Sequence, residues 1–318
     1  MRRFAVKVLL WFGVLLALLF GACFGLPDAS AKRTMLGAMP RKLTCLDAIP
    51  RGRVVFVGGS GLGMGMVTRD VEKNLGRRCY NMGLHAGLGL IYQMKSIVPH
   101  VHDGDVVVLV PEYANFDGSS CYGNRELVAM IADVLPRHRK LLDVVHWMRL
   151  SQFVCEYGAD KLRRLFCSYR TKDESLGYDT YGDSRYGEHP DDEQLPFPSA
   201  RHMSEDDFSP EVLSYINDFR SKLYERGVRL VVMPPAYQKS SFNNQRTYIS
   251  CCAAALKKNG TPFIVDAERY ALPNELFRDT PYHLNRNGRR CRSRLISHDL
   301  LNFFGDGCRA NDCQGDVP

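Results

Sequence analysis

The usual signatures of cofactor chemistry are missing from this chain. No Cys-x-x-Cys pair occurs among its 11 cysteines, and the His100-Val101-His102 triplet has no further ligand close by, so no metal site is expected. The pattern GxxxxGK[ST] is absent, which removes the common phosphate cradle of nucleoside triphosphatases. GxGxxG is absent too. The glycines of "VGGSGLGMGM" stand at Gly59, Gly61, Gly63 and Gly65, and the next strand candidate ends in "YNMG", which offers a ribose no carboxylate. No basic block is interleaved with aromatics, so nucleic acid is not an expected partner even at a formal net charge of +7. The expectation is a protein without cofactor.

What is present begins at the N-terminus. Arg2, Arg3 and Lys7 precede a charge-free run, "VLLWFGVLLALLFGACFGL", from Val8 to Leu26. That run reaches the length of a membrane-spanning helix and exceeds the usual apolar region of a cleaved signal. Pro27 and the small-residue stretch Ala29 to Ala31 form a pattern that a signal peptidase could cut. Residues 1–31 are therefore expected to be a membrane anchor or signal segment, with an extracytoplasmic domain behind it, periplasmic or at the cell surface. Cleavage after Ala31 would convert an anchored protein into a secreted one. Outside the cytoplasm disulfides become available, and Cys308 with Cys313 is a local candidate pair. Vicinal Cys251 and Cys252 fall in a helical pattern and read as packing residues.

Residues 32–52 read as a polar linker. Beyond them, short apolar runs alternate with amphipathic segments. Strand candidates are 54–58, 78–83, 105–110, 229–234 and 262–267. Helical patterns lie at 66–75, 88–100, 209–226 and 244–258, and a last one follows Asn287. Near-continuous Val, Ile and Leu content indicates strands buried on both faces. The alternation predicts an α/β three-layer sandwich with a five-stranded parallel sheet over residues 53–304. A stretch at about 116–208 interrupts this rhythm and reads as an insertion near the sheet edge, helical first and loop-like afterwards; 305–318 reads as a C-terminal tail. The tyrosines and arginines of the insertion (Tyr169, Arg170, Tyr178, Tyr181, Arg185, Tyr186) suit a sugar-stacking lid or, more plainly, a solvated loop.

The loop after the first strand carries Ser60 between glycines. A serine hydroxyl becomes nucleophilic when an imidazole takes its proton, and that imidazole needs an acid to fix its tautomer. Near the C-terminus, "FRDTPYHLNRNG" supplies Asp279 and His283 just before the final helix. A parallel sheet gathers the carboxyl ends of its strands, so a serine after strand one can meet this late histidine. Plainer roles exist for each group: Ser60 and His283 as helix caps, Asp279 as a turn residue.

Together these blocks resemble the SGNH (GDSL-like) hydrolases, specifically the membrane-anchored branch with cell-surface polysaccharide O-acetyltransferases and the teichoic-acid D-alanylation protein. The resemblance runs from about Arg53 to Phe304 and breaks at the insertion. "VVFVGGSG" is similar to the first block, with Ser60 as nucleophile and oxyanion-hole amide. "YNMG" is similar to the second, with Gly83 as a further oxyanion-hole amide; apart from the resemblance, the Asn81 side chain suits a hydrogen-bonder behind the serine loop. "DTPYHLNRNG" is similar to the last, with Asp279 and His283 completing a triad. The resemblance implies a flavodoxin-like strand order. It also implies serine-dependent acyl transfer or ester hydrolysis on an acylated cell-envelope glycan or another acyl ester, with room for an acyl-donating membrane partner. The chain departs from the pattern in three places. Gly59 replaces the aspartate of GDSL, and the triad pair is Asp-x-x-x-His, one residue longer than usual. The third block reads "VPEYAN", with Glu112 near the strand end and Asn115 later, where GxND is expected. Glu112 cannot donate a hydrogen bond while ionised, and both residues are expected to line the pocket. The competing expectation from this irregular block is a catalytically silent member that binds glycan or assists assembly.

Overall fold

The computed structural model of the protein describes residues 1–166, 173–185 and 197–311. Helices α1 (Arg2–Gly25), α2 (Ser30–Arg33) and α3 (Met39–Ala48) precede strand β1 (Val54–Gly58). There follow α4 (Ser60–Gly63), α5 (Thr68–Leu75), β2 (Cys79–Asn81), α6 (Leu90–Ile97) and β3 (Val106–Val110). Helices α7 (Arg125–Ala129), α8 (Val144–Arg164) and α9 (Glu211–Tyr224) lead to β4 (Arg229–Val232) and β5 (Tyr237–Gln238). The chain closes with α10 (Lys239–Asn244), α11 (Arg246–Lys258), β6 (Ala271–Leu272) and α12 (Arg286–Asn311). The last helix thus runs on into the expected tail.

The main sheet is parallel, in the order β2-β1-β3-β4. Val54 pairs with Cys79 on one side and with Val106 on the other. Side-chain alternation then sorts the strands onto two cores. Val55, Val57, Val107 and Leu109 face a cluster shared with α3, α6, α8, α9 and α11. Val54, Phe56, Val106 and Val108 face Val71 of α5 and Ile296 and Leu300 of α12. Each such fully buried aliphatic side chain stabilises the fold by roughly 1.5–3 kcal/mol relative to exposure.

The sheet has four strands, not the expected five. The segment 262–267 reaches β4 through one isolated bridge, Val232 to Phe263. The Phe263 amide bends back to the Thr261 carbonyl at 2.8 Å and so is lost to the ladder. Ile264 and Val265 still pack against the second core, which explains why their apolarity reads as a strand.

The expected linker at 32–52 is also corrected. Leu36, Met39, Leu43 and Leu46 are buried in the first core, and α3 places Lys42 beneath the serine loop. The start of the insertion is helical as expected, but it is structural. α8 packs on α1, and Gly158 lies against the Leu19 and Cys23 backbone there. Lys161 of α8 donates to the Cys23 carbonyl (2.6 Å), the Leu26 carbonyl (2.8 Å) and Asp133 (2.8 Å), so an ammonium sits where the carbonyls of α1 lack partners. Helix α1 is long and apolar enough to cross a membrane, with a mean hydropathy of 2.4. Trp11, Leu15 and Phe20 on it are exposed.

Candidate active site

Strand β1 ends at Gly58, Gly59 stays extended, and Ser60 opens α4. The turn is tight because the Gly59 carbonyl accepts from both Leu62 and Gly63 amides, at 3.2 and 3.1 Å. A Cβ at Gly59 would run into the Glu112 carboxyl, so a side chain here would displace the turn. Ser60 is consequently held at the carboxyl edge of the sheet, almost buried.

Its Oγ stands 2.9 Å from His283 Nε2, and His283 Nδ1 stands 2.8 Å from Asp279 Oδ1. The four-residue spacing closes because Thr280 folds the loop: its Oγ1 accepts from the amides of Tyr282 (3.3 Å) and His283 (3.1 Å). Arg278 donates to Asp279 Oδ2 at 2.7 Å. Burial would raise the Asp279 carboxyl, but the hydrogen bonds and charges of His283 and Arg278 hold it below the ordinary range. An ionised Asp279 keeps the imidazole proton on Nδ1, leaving Nε2 as the acceptor for the serine proton. Asn285, just beyond, caps α12 by accepting the Gly288 amide at 3.0 Å.

The remaining expected residues divide. Asn81 lies behind the serine loop as expected: its Nδ2 donates to the Leu62 carbonyl (3.1 Å) and to Asp183 (2.8 Å). The role expected for Gly83 is corrected, because its amide is already given to Asn81 Oδ1 at 2.8 Å and does not face the site unpaired. Gly83 instead allows close approach, since a Cβ there would collide with the Gly63 amide. The Ser60 amide, at the first position of α4, has no hydrogen-bond partner among the described residues. Asn115 lines a cavity beside the loop, while its Oδ1 accepts the Glu112 amide at 2.9 Å and shapes the end of β3. Glu112 itself reaches the serine loop, where Oε1 accepts the Gly61 amide at 3.2 Å. Burial pushes its carboxyl above the ordinary range, against the opposing pull of the Gly61 amide, His283 and Arg292.

Sequence reasoning missed the groups that brace this loop. Arg292, 1% exposed, donates to the Gly61 carbonyl at 2.7 Å, and Arg289 donates to the Met66 carbonyl at 3.1 Å. Their signal was present: 289, 292 and 296 share one face of the last helix. Lys42 donates to the carbonyls of Gly83 (2.8 Å) and Gly182 (2.6 Å), and Asp183 accepts from the Thr68 amide at 2.6 Å. Burial pulls the Lys42 ammonium down to about 7 and pushes the Asp183 carboxyl up to about 6. Neither residue lies in a motif, so no sequence signal points to them. Of the lid candidates, Tyr178 is buried under the Lys42 ammonium, Arg185 is exposed, and Tyr169, Arg170 and Tyr186 lie outside the described residues. Cys308 and Cys313 lie outside the residues whose side chains are described, whereas Cys252 is buried in α11 as a packing residue.

A cavity of about 490 Å³ opens beside the serine loop, lined by Gly87, Glu112, Asn115 and Asn124 and, from α8, by Arg149, Gln152 and Phe153. Ser60, His283 and Asp279, joined by hydrogen bonds, and the adjoining cavity make up the candidate site. No family model matches the chain, and no curated protein is significantly similar to it.

Proposed function

We propose that this protein is a serine-dependent acyltransferase or esterase of the SGNH type, acting on an acylated glycan or related ester of the cell envelope. The observation that carries this reading is the continuous chain Ser60 Oγ, His283, Asp279, at 2.9 and 2.8 Å. In the proposed reaction His283 Nε2 takes the hydroxyl proton as Ser60 Oγ attacks the acyl carbonyl carbon. The tetrahedral intermediate collapses, the ester C–O bond breaks, and the departing alcohol receives that proton from His283. Water or a sugar hydroxyl then attacks the acyl-enzyme, again with His283 as base, and Ser60 is regenerated. Which of the two attacks depends on how well the cavity excludes water.

The envelope setting is supported by one architectural fact. Helix α8 both packs on the apolar α1 and lines the cavity with Arg149, Gln152 and Phe153. A substrate in that cavity therefore lies close to the helix proposed to anchor the protein, with the domain on the extracytoplasmic side.

Labelling with a fluorophosphonate probe tests the reading. Wild-type protein should label at Ser60. Ser60→Ala, His283→Ala and the double variant should lose nearly the same reactivity, because each group is useless without the other. Folded wild-type protein that stays unlabelled at every pH would instead favour a glycan-binding role without catalysis.

A further inference from the structure

The third block of the site presents a chemical conflict. The place where a neutral amide donor would serve is occupied by Glu112, and a carboxylate there would repel the negative charge that develops on the acyl oxygen. It would also hold the Gly61 amide, the one that follows the nucleophile, for itself. Three features of the surroundings bear on this. The carboxyl is buried, at 7% exposure, and the hydrogen bonds it accepts come from backbone amides, that of Gly61 at 3.2 Å and, in a capping arrangement, that of Asn115. No ion pair to it is found among the described residues, and the buried guanidinium of Arg292 gives its Nη1 to the Gly61 carbonyl. Its position relative to the triad is fixed, because the Tyr113 amide donates to Tyr282 Oη at 3.0 Å and Tyr282 adjoins His283.

Resting on the acyl-transfer reading above, we propose that Glu112 is a further catalytic residue that works as a neutral carboxylic acid: Oε1 accepts the Gly61 amide, and the protonated oxygen donates to the oxyanion. Glu112 also lines the adjoining 490 Å³ cavity, so its carboxyl stands between that cavity and the serine loop. Burial favours the neutral form, because an unpaired carboxylate out of water is costly. A protonated carboxyl donating to an oxyanion in an apolar site is established chemistry. With the Ser60 amide unpaired beside it, such a donor makes a two-part oxyanion hole, and it replaces the Gly83 amide that Asn81 has taken.

The consequence is a pH dependence of definite sign. The folded-state pKa of Glu112 is raised by burial, so the donor is present at low pH and is lost as pH rises through that raised value. The charged and titratable groups around Glu112 are His283 and Tyr282 on the loop before α12, Arg292 on α12, Tyr237 on β5, and Arg149 across the cavity, with His85 beyond β2 acting on His283. Burial pushes the two tyrosines upward, away from this window, and pulls His85 downward. Burial also pulls the loop-bracing Lys42 ammonium down to about 7 and the Arg292 guanidinium down to about 10, so it is the disappearance of the fall in Glu112→Gln that assigns it to Glu112.

The experiment measures the rate of Ser60 labelling by a fluorophosphonate across pH for the full-length wild type, Glu112→Gln and Glu112→Ala. Expected are an alkaline fall in the wild type of about tenfold per pH unit, its disappearance in Glu112→Gln, and a loss of about a hundredfold in Glu112→Ala. Infrared difference spectra between wild type and Glu112→Gln, at the pH of fastest labelling, should show a protonated carboxyl band that the variant lacks. Labelling that proceeds in wild type while Glu112→Gln keeps the alkaline fall, or drops as far as Glu112→Ala, overturns the proposal and leaves the acyl-transfer reading standing. A carboxylate band at Glu112 overturns it independently of activity. Absence of Ser60 labelling in folded wild type would remove the acyl-transfer reading, and this proposal with it.

Discussion

Ser60 owes its geometry to neighbours that share no motif with it. The Leu62 and Gly61 carbonyls of its loop are held by Asn81 and Arg292, and the Gly83 carbonyl behind it by Lys42. Lys42 is the test of this bracing at the scale of one residue. Its ammonium, 1% exposed, serves two carbonyls at once. Lys42→Met keeps the apolar stem but leaves both carbonyls without that donor, a cost of about 2 kcal/mol. Urea unfolding of the full chain should therefore shift to a lower midpoint by that free energy, with Ser60 labelling slowed in the protein that remains folded. An unchanged midpoint would mean that other donors replace the ammonium.

At the scale of elements, the decisive pair is α1 and α8. Gly158 lets the two helices approach until backbone meets backbone, since a Cβ there would strike the Leu19 carbonyl. Lys161 then ties the end of α1 to Asp133, which also accepts from Tyr157 Oη at 2.8 Å. Gly158→Leu should separate the pair by overpacking, a penalty of about 1–3 kcal/mol. Amide hydrogen exchange over residues 150–161 should then accelerate about tenfold or more, while Ser60 labelling in the same protein is preserved. Exchange unchanged from wild type would show that α1 contributes nothing to the order of α8. The sheet itself was legible at this scale, because runs such as Val106–Val110 have no polar residue to expose. The fifth strand was not, because a turn at Thr261 redirects an amide that no apolar count can foresee.

For the molecule as a whole, the junction between α1 and the domain carries its own consequence. Asp28 and Ser30 are bonded to Arg164, and Ala31 is buried at 5% exposure. A junction so built in is expected to stay with the protein. Intact mass spectrometry of the purified chain should find residues 1–31 retained, and an alkaline phosphatase joined after Pro318 should be active on the extracytoplasmic side. A mature N-terminus at Lys32 would reverse the first expectation, and activity of a cytoplasmic reporter alone the second.

How far the sequence reached depended on how local each feature is. Apolar runs, a glycine-flanked serine after the first of them, and an Asp and a His before the last helix are local patterns. They sufficed to outline a parallel α/β sheet, a membrane-length helix and the three groups of the candidate triad. Partner choice is not local. Whether Gly83 offers its amide to a substrate or to Asn81, whether residues 32–52 hang free or deliver Lys42 to the serine loop, and whether Glu112 meets a cation are settled by segments far apart in the chain. A hydrogen bond depends on angstrom distances between such segments, and those distances exist only once the sheet has brought them together.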